Sequence, residues 1–176
     1  MSDRGKRAPL VVGIGNRFRR DDGVGPWVAE ALLGAGLDAR VHAGDGTGLL
    51  DLFESHDDIV LVDATKSGAA PGRLVALDAG LAPLCADMFH YSTHRFGLAE
   101  AVETARALGG LPRRLRVYGI EGRDFGAGIG LTDSVERAAR ALVEALGAED
   151  PGGDRGRGMS HGADRAMVHG DADAQK

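Results

Sequence analysis

Apolar residues fall along the chain in short continuous runs separated by longer segments of helical period. Five runs rich in β-branched residues stand out: "PLVVGIG" at 9–15, "ARVHAG" at 39–44, "DIVLVDA" at 58–64, "GRLVALD" at 72–78 and "LRVYGIE" at 115–121. Several are apolar without alternation, as expected of strands covered on both faces of a sheet. Between them, Val24, Trp27, Val28, Ala31 and Leu32 recur at helical spacing, with Pro26 in a tolerated first-turn place. Leu49, Leu50, Leu52 and Phe53 predict a shorter helix. A third is expected over about 95–108 and a fourth over about 133–146. Asp133 followed by Glu136 resembles a capping box with Asp in the usual Ser or Thr place.

Strands alternating with helices predict an α/β fold. The expected form is a single three-layer αβα domain, with a largely parallel, twisted five-stranded sheet and about four flanking helices. No helix is evident after the fourth run, so that strand is expected to lie antiparallel at or near an edge. The domain is assigned to residues 9–146, residues 1–8 to a flexible N-terminus, and the Gly-, Asp- and Arg-rich residues 147–176 to a disordered tail.

Composition narrows the function classes. The net charge of −5 disfavours a nucleic-acid partner, which needs a basic face. No apolar run approaches the length of a membrane span, and the charged "MSDRGKRAP" does not resemble a signal peptide, so a cytoplasmic protein is expected. The single cysteine, Cys85, excludes an internal disulfide framework and a multi-thiolate metal site.

The stretch "VVGIGNRFRRDDGVGPW" opens like a nucleotide-binding loop, with Gly13 and Gly15 in place. The third position of a G-x-G-x-x-G fingerprint is Phe18, however, and Asp21 and Asp22 would repel phosphate at the helix entry. One aspartate is enough to cap the following helix; the second is left over. Gly13, Gly15, Gly23 and Gly25 are read as serving tight turns and close backbone approach, and Asn16 as bracing the loop. Ligands of open α/β sheets collect at the carboxyl ends of strands, which here present Asn16, Asp22, Asp45 and Asp63. Asp63 follows four apolar residues, where a buried strand emerges. "HYSTHRFGLAEAV" adds His90 and His94, with nothing in their spacing to choose between them. His42, His56, His161 and His169 read as surface or tail residues. No G-x-S-x-G elbow or H-E-x-x-H pair is present, and "DGTG" at 45–48 only approximates an aspartic-protease loop.

"GIGNRFRRDDGVG" (13–25), "GDGTGLLDLF" (44–53), "LVDATKSGAAPG" (61–72), "STHRFGLAEAV" (92–102) and "VYGIEGRDFGAGIGLT" (117–132) occur in the order found in the hydrogenase maturation proteases, and the chain resembles that family from about residue 10 to 146. These endopeptidases trim the C-terminal extension from the large subunit of nickel–iron hydrogenases. The resemblance implies three metal-facing residues, Asp22, Asp63 and His94, with His94 preferred to His90 because it directly precedes "FGLAE". Some members carry glutamate at the first position; Asp22 is one methylene shorter. The implied cofactor is nickel, already inserted in the substrate, and the implied partner is the precursor of the hydrogenase large subunit; the protein itself is expected to be a monomer, with no nucleic-acid or membrane partner. Two carboxylates and a neutral imidazole suit a divalent cation and leave coordination positions open. A non-catalytic nickel-recognising chaperone would use the same ligands, and a nucleotide-binding module would use the Gly13–Gly15 loop.

Overall fold

The computed structural model describes residues 8–85, 89 and 96–149. The strands are β1 (Leu10–Ile14), β2 (Ala39–His42), β3 (Asp58–Thr65), β4 (Leu74–Asp78) and β5 (Arg114–Glu121), interleaved with helices α1 (Val24–Gly34), α2 (Gly46–Ser55), α3 (Leu98–Leu108) and α4 (Asp133–Glu149). They form one five-stranded sheet in the order β2-β1-β3-β5-β4. β1, β2, β3 and β5 run parallel, while β4 lies antiparallel to β5 at the edge, as its missing crossover helix required.

Two apolar layers clamp the sheet. On one face Val24, Val28 and Leu32 of α1 and Val135, Ala139 and Leu142 of α4 pack on Val11, Val60 and Val62. On the other, Leu49 and Phe53 of α2 and Leu98, Ala101 and Val102 of α3 pack on Val12, Ile59 and Leu61. β3 is buried along nearly its whole length, which explains its unbroken apolar run.

The first βα connection depends on two glycines in contact. A Cβ on Gly13 would lie 2.0 Å from the Gly25 carbonyl oxygen, and one on Gly25 would lie 2.1 Å from the Ile14 oxygen and 2.5 Å from the Val62 oxygen. The first turn of α1 therefore sits on the backbones of β1 and β3 with no side chain between. Gly15 turns the chain at φ +136°, a conformation that L side chains rarely adopt.

Three local expectations are corrected. Neither Asp21 nor Asp22 caps α1: its N-cap is Gly23, without a side-chain cap bond. Asp133 is the first residue of α4 rather than its cap, and the Glu136 carboxylate accepts from Arg140 instead of closing a capping box. α4 also continues to Glu149, past the boundary expected at 147; residues 150–176 of the expected tail lie outside the described residues. A side-chain cap does open α2, where Asp45 accepts from the Gly48 N–H at 2.8 Å, while α3 ends through backbone conformation at the left-handed Gly109.

The glycine contact yields a first prediction. Gly25→Ala should cost about 3 kcal/mol or more by urea unfolding, because backbone atoms and not flexible side chains occupy the space. Gly34→Ala, with nothing within 4 Å, should be neutral or stabilise by up to about 1 kcal/mol. Equal responses would contradict the close packing.

Candidate metal-facing active site

Strand order reverses between β1 and β3, so their carboxyl ends form the crevice where open α/β sheets take ligands. A cleft of about 330 Å³ lies there. Asp22 and Asp63 line it together with Asn16, Pro26, Val41 and Phe89. Asp22 reaches it from the 3-10 turn at Arg20–Gly23 that links β1 to α1, and Asp63 from within β3. Both are only 7% exposed. Arg17, Phe18 and Val41 form an exposed rim.

The two carboxyls are held in an environment that resists their charge. Burial pushes Asp63 well above the ordinary carboxylate range and the facing Asp22 charge pushes it further; the Ala64 N–H, donating to Oδ1 at 2.7 Å, opposes both. Burial also raises Asp22, against the Arg19 guanidinium and the Asn16 N–H. Two like-charged groups sharing a low-dielectric cleft are relieved by a shared proton or a cation, and this donor set fits a divalent cation. Among the described residues no three His, Cys, Asp or Glu side chains converge as a metal cluster. The third expected ligand, His94, and its rival His90 lie outside the described residues.

Asp21 points the opposite way. It is fully buried, and its carboxylate accepts from the N–H groups of Arg123 at 2.8 Å, Asp124 at 2.9 Å and Thr132 at 2.7 Å, and from the Thr132 hydroxyl at 2.9 Å. Burial pushes its pKa up, but these bonds outweigh burial and leave it below the ordinary value. The backbone extends the latch: the Arg20 N–H donates to the Gly128 oxygen and the Gly128 N–H to the Phe18 oxygen. Arg20 lays its guanidinium on Gly128 and donates to the Ile129 oxygen at 3.3 Å, and Arg19 reaches the Phe125 oxygen at 3.4 Å. Arg20 is thus turned toward the 123–130 loop, while Arg19 stands at the cleft between the Phe125 oxygen and the Asp22 charge. Asn16 braces the connection as expected, its Oδ1 accepting from the Phe18 N–H at 2.9 Å.

Glu121 is a site-supporting residue for which the sequence reading assigned no role. Its buried carboxylate accepts from the Thr65 hydroxyl at 2.7 Å, from the N–H and hydroxyl of Ser67 at 2.8 and 3.0 Å, and from the N–H groups of Gly68 and Ala69 at 2.8 and 3.2 Å. It fixes the turn that follows Asp63. The signal was present: an acidic residue closes an apolar strand opposite the donor-rich "TKSGA". Asp45, presented after the second strand, is the α2 cap and lies 3.7 Å from His42.

The comparisons agree with this fold. A family model described as HycI, hydrogenase maturation protease, matches residues 41–149, and the chain belongs to the hydrogenase maturation protease family. It is 30% identical over 128 residues to the hydrogenase expression/formation protein HupD of Rhodobacter capsulatus, covering 68% of this chain and 61% of that protein, under two thirds of its length. It is 29% identical over 142 residues to the hydrogenase 2 maturation protease of Escherichia coli strain K12, covering 77% and 85%. The fold matches HybD from Thermococcus kodakarensis at a TM-score of 0.66 and 24% identity, covering 81% and 98%. The hydrogenase-maturating endopeptidase HybD of E. coli matches at 0.63 and 26%, covering 81% and 91%. The family-model match includes Asp63 and begins after Asp22, so Asp22 is placed in the cleft by the fold itself.

Glu121 sets a pH prediction. Burial raises its pKa and the bonds from Thr65, Ser67 and Gly68 more than reverse this, so its folded-state value lies below the unfolded one. Its stabilisation is therefore complete above the unfolded value and is lost as pH falls through the folded value. Glu121→Gln, which turns an amide donor toward other donors, should cost about 1–3 kcal/mol at pH 7. In urea titrations the gap from wild type should narrow as the pH drops below the ordinary glutamate range. A gap that widens in acid would contradict the assignment.

Proposed function

We propose that this protein is an endopeptidase that removes the C-terminal extension from the nickel-loaded precursor of a [NiFe]-hydrogenase large subunit. The observation that carries the reading is the pair Asp22 and Asp63. In a chain of this family, two buried carboxylates, one from the turn after β1 and one from β3, line one cleft, the charge of Asp22 acts on Asp63, and burial penalises the charge of each.

In this reading the nickel belongs to the substrate. The precursor presents it at the mouth of the cleft, and Asp22 and Asp63, with His94 as third ligand, complete its coordination. A precursor without metal leaves two like charges unneutralised, which is how loading is sensed. The bound cation supplies Lewis acidity toward the scissile carbonyl or a water. The chain's own contribution is positional: Asp63 is fixed at Oδ1 by the Ala64 N–H, and Asp22 by the latched 3-10 turn. Either carboxylate, with its affinity for a proton raised by burial, is suited to take the proton of the attacking water. No serine or cysteine nucleophile is invoked, and the protein acts in the cytoplasm, where such precursors are assembled.

A nickel-recognising chaperone would use the same two carboxylates, and cutting separates it from a protease. Intact-mass measurement of the nickel-loaded precursor should show loss of the extension with wild-type protein and none with nickel-free precursor. Asp22→Ala, Asp63→Ala and His94→Ala should each reduce that processing by about 10²-fold or more while retaining cooperative melting. Full processing by all three variants would remove the metal-recognition reading, and binding without any mass change would favour the chaperone.

A further inference from the structure

Among the described residues, β2 pairs only with β1 and forms an outer edge of the sheet. The direction of its free groups follows from the ladder. The Val11 N–H donates to the Asp38 oxygen at 2.9 Å and the Gly15 N–H to the His42 oxygen at 3.4 Å, in a register that sets Val11 opposite Ala39 and Gly13 opposite Val41. In a parallel pair the residues of a strand alternate between facing the neighbour and facing away. Asp38, Arg40 and His42 therefore face β1, and the exposed Val41 and Ala43 turn their N–H and C=O groups to the open side, as does the buried Ala39. Val41 and Ala43 also line the cleft that holds Asp22 and Asp63. β4, at the other edge, contributes nothing to that cleft.

Resting on the protease reading above, we propose that an extended stretch of the precursor polypeptide adds to the free edge of β2 as a further strand beside Val41 and Ala43, and is led by it into the cleft. The occupant is a polypeptide because the open groups are alternating backbone donors and acceptors, the complement of an extended main chain. A peptide bond delivered to Asp22 and Asp63 must come from a segment whose own backbone is unpaired. The edge carries no proline and keeps an unbroken register with β1, so no bulge turns a strand away. Val41, 46% exposed, and Phe18, 63% exposed, give this part of the cleft an apolar rim. Every second side chain of the added segment would pack on that rim, while its backbone makes the sequence-independent bonds.

The test uses proline at a position where only the outward N–H is lost. Val41→Pro leaves the bonds to β1 in place and removes one edge donor, so KM for the nickel-loaded precursor should rise about tenfold with kcat little changed. Val41→Ala, which keeps the backbone donor, should raise KM less. Wild-type kinetics for Val41→Pro would overturn the edge proposal. Failure of the wild-type protein to cut any loaded precursor would instead overturn the protease reading. Where the proline variant does not fold, amide exchange of wild-type protein decides. On adding loaded precursor, exchange at Val41 and Ala43 should slow at least tenfold, and unchanged exchange at both would overturn the edge proposal.

Discussion

The buried carboxylate of Asp21 is the interaction on which the site depends. It gathers three backbone N–H groups and a hydroxyl from a segment more than 100 residues further along the chain. In doing so it fastens the β1–α1 connection to the β5–α4 loop. Once Asp21 is turned inward to Thr132, its neighbour Asp22 is directed to the opposite side, into the cleft. Two adjacent aspartates thus divide the work. One is stabilised by its bonds and orders the loop; the other is left in surroundings that disfavour its charge and is available to a cation. That resolves why a loop resembling a phosphate cradle carries two acids.

The site has an energetic cost placed on a rigid support. Asp22 and Asp63 both sit where burial raises their affinity for protons, and Asp63 is pushed further by its facing partner. A fold tolerates such a pair only where neighbouring structure is over-determined. Here the support comes from the Gly13–Gly25 backbone contact, the Asp21 latch and the Glu121 hub. Each fixes backbone, the Asp21 and Glu121 carboxylates through several N–H groups as well as Thr and Ser hydroxyls, so the positions of Asp22 and Asp63 are set by the sheet and its first connection. Such a frame suits the proposed function, in which the two aspartates need not assemble around a cation brought by the substrate.

Much of this was legible in the sequence because it depends on local pattern. The unbroken apolar run ending at Asp63 marks a strand buried on both faces, and the missing helix after 72–78 marks the antiparallel edge strand. What was not legible depends on contacts between distant residues. Nothing near Asp21 and Asp22 says which turns inward, since the deciding donors are Arg123, Asp124 and Thr132. Thr132 also donates to Asp21, and α4 begins at the next residue, so the capping pattern read into Asp133 and Glu136 does not form. The acid closing the fifth run and the donor-rich "TKSGA" were both visible, but only the pairing of β3 with β5 shows that Glu121 is their hub. The choice of His94 over His90 rests on resemblance, both lying outside the described residues.

The division of labour between the two aspartates is tested most directly by urea unfolding of Asp21→Asn and Asp22→Asn at pH 7. Asp21→Asn places an amide against four donors and should lose about 2–4 kcal/mol. Asp22→Asn removes a charge that burial disfavours and should be as stable as wild type or more so. A larger loss from Asp22→Asn, or equal losses from both, would contradict the account.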